Sequence, residues 1–119
     1  MMNATGDAEN DRREESNALR VFASREEVSA TLAAAVAAAI AKGYDKIAYW
    51  QEVGDYVLAA AQRAQAIIQS IDPELSAVDY ASRCRAALAQ EAERFVNDPS
   101  DAASFYGTTL YGIIRWIEE

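Results

Sequence analysis

Apolar residues recur at helical spacing through most of this chain. Val28, Leu32, Val36 and Ile40 fall at intervals of four and make one stripe. Ser24 and Glu27 precede that stripe with the S-x-x-E spacing of a capping box, and Gly43 follows Lys42 as a C-terminal stop. The alanines of "TLAAAVAAAIA" lie between the stripe positions and let a neighbouring helix come close. A second helix is predicted from Asp45 to Ile71. Its positions Trp50, Val53, Val57, Ala60, Ala64, Ile67 and Ile71 alternate in steps of three and four, a heptad-like seam. At 1.5 Å per residue it would be roughly 40 Å long.

"IDPE" ends that helix and starts a third, with Asp72 as cap and Pro73 at the first helical position. Ala81, Cys84, Leu88, Ala92 and Phe95 form its inward stripe. "NDPSD" repeats the device, with Asp98 or Ser100 capping a fourth helix. Its stripe is Tyr106, Leu110, Ile113 and Ile117, flanked by Tyr111 and Trp116. Leu19, Val21 and Phe22 supply earlier anchors, for a short helix or a strap. Gly54, Gly107 and Gly112 each weaken a helix by about 1 kcal/mol relative to Ala, and close helix contact is one reason to keep them. Short connections join antiparallel neighbours. The predicted fold is all-α: a compact antiparallel four-helix bundle in a single domain over 17–119, preceded by a disordered, flexible acidic tail over 1–16.

Composition agrees and narrows function. At 119 residues with 51% apolar content, the chain suits one modest core. The formal net charge is −8. Residues 1–16 carry five acids and two arginines, so most of the negative charge belongs to the folded part. Such a surface repels phosphate backbones, which argues against direct nucleic-acid binding and for partners with basic surfaces. The absence of histidine removes His-based acid–base chemistry, Ser-His and Cys-His pairs, and His metal sites. The single cysteine, Cys84, forms no internal disulfide and fits a reducing compartment. The polar start does not read as a signal peptide, and no apolar run is long enough for a bilayer. The expected setting is cytoplasmic, with no membrane contact.

Candidate chemistry centres on "WQEVGDYVLAAA", where Glu52 and Asp55 stand three residues apart. At 100° per residue Asp55 falls nearly opposite the seam and Glu52 on its flank, as expected for a solvated face. The stretch "EVGDYVLAAAQRAQAIIQSIDPE" resembles the second acidic helix of the MazG-like all-α nucleotide pyrophosphohydrolases. That family pairs an EExxE helix with an ExxD helix, whose carboxylates hold Mg²⁺ against a nucleoside triphosphate. The resemblance covers roughly residues 26–80. It implies Glu26, Glu27, Glu52 and Asp55 as metal ligands, but Ala30 stands where the third glutamate of EExxE belongs. Losing one acid weakens a Mg²⁺ shell.

Cys84 lies between Arg83 and Arg85, a setting that lowers a thiol pKa. Its place on the apolar stripe points instead to a buried core residue. Tyr49, Tyr56, Tyr111 and Trp116 lie at or beyond the edges of the seams and are the candidate interface residues, since Tyr and Trp anchor protein contacts. The leading expectation is a non-catalytic interaction module (a small subunit, inhibitor or adaptor) that uses no cofactor and binds another protein or a second copy of itself. The alternative is a Mg²⁺-dependent nucleoside triphosphate pyrophosphohydrolase, or an inactive descendant of one.

Overall fold

The computed structural model describes residues 18–47 and 50–119. The tail predicted over 1–16 and the candidate Tyr49 lie outside them. Four helices follow one another: α1 (Arg25–Gly43), α2 (Gln51–Gln69), α3 (Ala77–Glu93) and α4 (Asp101–Arg115). They form the helical bundle that the periodicity predicts.

α1 begins where its sequence says. The Ser24 hydroxyl accepts from the Glu27 amide at 3.1 Å. The Glu27 carboxylate reaches one residue further back than a standard capping box and accepts from the Ala23 amide at 2.7 Å. Val28, Leu32 and Val36 are buried and Ile40 is half-buried, so the four-residue stripe is the buried face.

α1 and α2 run antiparallel. Gly43 lies against Gly54 at one end. At the other, Ser29 and Ala33 share a small cleft with Gln65 and Gln69. The glycine contact is backbone on backbone. A Cβ added to Gly54 would overlap the Gly43 carbonyl oxygen, and one added to Gly43 would fall 2.7 Å from Leu58 Cγ. Gly43 therefore ends α1 where room is needed, with Tyr44 as the capping residue.

The second helix is shorter than its periodicity predicts. It starts at Gln51 and ends at Gln69, so its 19 residues span roughly 28 Å. Val53, Val57, Ala60, Ala64 and Ile67 are buried as the seam requires. Trp50 is not part of that seam. Its backbone is extended as the N-cap residue, which takes the side chain out of helical register and leaves it 68% exposed.

The third helix also starts late. Asp72 closes a turn by accepting from the Glu74 amide at 2.9 Å. The N-cap is Ser76, whose hydroxyl accepts from the Asp79 amide at 3.2 Å. Tyr80, Ala81, Cys84, Leu88 and Ala92 form the buried face. Before α4 the two candidate caps act in series. Asp98 accepts from the Ser100 amide at 2.9 Å, and Ser100 accepts from the Ala103 amide at 3.2 Å. The Ser100 amide, and then its hydroxyl, hold the exposed Asp98 carboxyl below its usual pKa. Leu110, Ile113 and Ile117 are buried, and Tyr106 is half-buried.

Residues 18–22 form a strap over the end of α4. Leu19 makes an antiparallel bridge with Glu118. The Arg20 amide donates to the Ile117 carbonyl and the Glu119 amide to the Ala18 carbonyl, both at 2.9 Å. The Arg20 guanidinium donates to the Trp116 carbonyl at 2.8 Å and lies 5.0 Å from the centre of the Phe22 ring. Phe22 is thereby buried in the core. Among the described residues no helix is long and apolar enough to cross a membrane.

Candidate functional site

The four candidate metal ligands sit at opposite ends of the α1–α2 pair. Glu26 and Glu27 open α1, while Glu52 and Asp55 lie in the first turns of α2, beside the far end of α1. Sixteen residues separate Glu27 from Gly43, about 24 Å of helix. Glu27 is engaged by its cap, Glu26 pairs with Arg25 at 3.0 Å, and Glu52 and Asp55 are exposed. The bundle does not bring the four together. Among the described residues no group of three or more carboxylate or thiol side chains is placed to share a metal ion.

The thiol is buried completely. Burial pushes the Cys84 thiol up to about 11, with a hydrogen bond to Tyr80 pulling weakly the other way. Burial first, and then the charge of Cys84, raise the Tyr80 hydroxyl as well. The flanking Arg83 and Arg85 point elsewhere: Arg83 is exposed, and Arg85 reaches Glu118 at 3.6 Å. This thiol is core rather than nucleophile.

Of the candidate interface residues, Tyr56 is half-buried, and Tyr111 and Trp116 are 40% and 43% exposed. Tyr111 and Trp116 point about 140° apart around α4, so they do not share one surface. More apolar area is exposed elsewhere. Tyr44, Ile47 and Trp50 in the α1–α2 connection are 68%, 99% and 68% exposed. The sequence spacing places Trp50 on the buried seam and gives the other two no role. The signal was there in part: Gly43 ends α1, and a helix that resumes only at Gln51 leaves these three side chains without a helical face.

Two further features come from the tertiary structure alone. The first is Glu91, buried on α3 between three partners. Its carboxylate lies 3.4 Å from Arg63 of α2, 3.3 Å from Arg94 and 3.5 Å from the Tyr106 hydroxyl of α4. Phe95 stacks on Tyr106 at 4.7 Å between ring centres. Burial, and then the Glu91 charge, raise the Tyr106 pKa. No motif marks Glu91, because two of its partners come from other helices, Arg63 from α2 and Tyr106 from α4.

The second is a half-open groove of about 390 Å³ between α1 and α4. These two helices touch each other less than any other pair. Ala35, Ala38 and Ala39 form the α1 wall, and Val57 of α2 lines the groove between them. Phe105, Gly112, Ile113 and Trp116 form the α4 wall. Lys42, Ser104, Thr108 and Thr109 bring the polar groups, and Thr109 already donates to the Phe105 carbonyl at 2.7 Å. The volume falls within the range of small-molecule sites.

Comparison with family models, with curated proteins and with solved structures gives no match.

Proposed function

We propose that this protein is a non-catalytic helical interaction module, a small subunit, inhibitor or adaptor that binds another protein. The observation that carries the reading is the exposure of Tyr44, Ile47 and Trp50 within one short connection. An almost fully solvated Ile beside a solvated Tyr and Trp is the composition of an interface anchor. A net charge of −8 favours a partner with a basic surface and speeds its encounter. A reducing, cytoplasmic compartment suits the lone cysteine. Self-association through the same connection is the second form of this reading.

The test is a photo-crosslinking residue at position 47 in the native host, with sedimentation velocity of the purified protein. A crosslinked partner or dimer, lost when Ile47 and Trp50 are both changed to Ser while helicity is retained, supports the reading. A monomer that crosslinks to nothing overturns it.

A further inference from the structure

We infer that the groove between α1 and α4 is a binding site for a small amphiphile with an anionic head, of the medium-chain carboxylate class. This inference concerns a surface apart from the α1–α2 connection and does not depend on the function proposed above.

Three observations carry it. Gly112 lies in the last turn of α4, where glycine is unfavourable, yet a Cβ there would meet nothing within 4 Å. No neighbouring element requires it, and as glycine it lines the groove without a side chain. The wall on either side is apolar, from Ala38 and Ala39 to Ile113. Lys42 is the single charged residue lining the groove, and among the described residues no carboxylate pairs with it.

The groove also has a direction. The end of α4 pairs with the strap that leads into α1, so α4 runs back towards the start of α1. Lys42 near the end of α1 and Ser104 near the start of α4 therefore share one end, and Trp116 lies towards the other. The helix ends at the Lys42 side are of opposite polarity and offset one another. The ammonium group then decides the sign of the ligand, with the Ser104 and Thr108 hydroxyls as further donors. On a chain of net charge −8, an apolar groove whose one charged lining residue is a cation complements an anion with an apolar body. The groove's volume of about 390 Å³ lies within the range of small-molecule sites.

The experiment uses the full chain with Trp50→Phe, which leaves Trp116 as the sole tryptophan. Decanoate and decyltrimethylammonium are titrated below their micellar concentrations while Trp116 emission is followed. Decanoate gives a saturable change, and the cationic analogue binds about tenfold more weakly or not at all. Lys42→Met weakens decanoate about tenfold. Gly112→Leu, which fills the groove, removes binding while far-UV circular dichroism is unchanged. Should that variant misfold, backbone amide shifts in the wild-type chain serve instead, with changes confined to the second half of α1, to α4 and to the part of α2 around Val57. The inference is overturned by a non-saturable response, by equal binding of anion and cation, by binding that survives Gly112→Leu, or by amide shifts elsewhere. Trp116 emission that depends on protein concentration without ligand also overturns it, since a second copy would then cover the groove.

Discussion

Gly54 and Gly43 meet backbone to backbone, so closely that a single methyl group on Gly54 would overlap the Gly43 carbonyl oxygen. Both walls of that contact are main chain, which no rotamer change relieves. Gly54→Ala is therefore expected to destabilise the fold by about 1–3 kcal/mol, the cost of overpacking, despite alanine's better helix propensity. Chemical denaturation of the two proteins measures it. An unchanged or raised midpoint would show that α1 and α2 can part without loss.

Gly112 should behave in the opposite way. Its added Cβ enters open space, so Gly112→Ala recovers helix propensity and narrows the unfolded ensemble without a clash. A gain of about 0.5–1 kcal/mol is expected. Measured side by side, the two glycine variants separate a contact that needs glycine from a position where no packed neighbour requires it.

Glu91 ties α2, α3 and α4 through Arg63, Arg94 and Tyr106. Arg63 is half exposed and Arg94 more so, so solvent screens both pairs. Glu91→Gln keeps the size of the side chain and removes its charge, and is expected to cost about 1 kcal/mol. A double-mutant cycle with Arg63→Met should give a coupling of a few tenths to about 1 kcal/mol that shrinks in high salt. No coupling would mean that Arg63 merely borders the carboxylate.

Glu52→Gln and Asp55→Asn are expected to leave the melting temperature nearly unchanged, with or without Mg²⁺ or Mn²⁺. Both acids are exposed, and Glu26 and Glu27 stand at the other end of α1. A rise in melting temperature on adding metal, lost in either variant, would show that these acids bind it.

The helical faces were legible in the sequence because each is set locally. The period-four stripe of α1 and the Val53–Ile67 seam both follow from one side of a helix being buried. Ser24 and Ser100 announced two helix starts through side-chain-to-backbone bonds of three residues' reach. Helix limits were harder wherever two devices competed. Asp72 and Pro73 offered a start, but Asp72 spends its carboxylate on a turn, and Ser76 caps α3 instead. Trp50 continued the seam numerically, yet its backbone is extended and its side chain points outward. Glu52 and Asp55 were legible as a solvated face. Their separation from Glu26 and Glu27 required the antiparallel register of α1 and α2. The groove could not be read at all, because it arises from a gap between two helices that are distant in sequence.

Cys84 supplies a pH-dependent prediction with a definite sign. Its folded pKa is raised to about 11 because the buried site disfavours the thiolate. An unfolded thiol titrates near 8.5. The folded state therefore holds this proton while the unfolded state loses it. The thiol's contribution to stability is full below the unfolded value and is lost as pH rises towards 11. Tyr80 and Tyr106 are shifted in the same direction and extend the loss to higher pH. The melting temperature of the wild-type chain should fall between about pH 8.5 and 11 more steeply than that of Cys84→Ala. At neutral pH the variant itself is less stable through the small cavity it leaves. The native thiol should also resist a disulfide reagent at pH 8 until the protein is unfolded. Parallel melting curves for the two proteins across that window, or rapid labelling of the native thiol, would place Cys84 in contact with solvent.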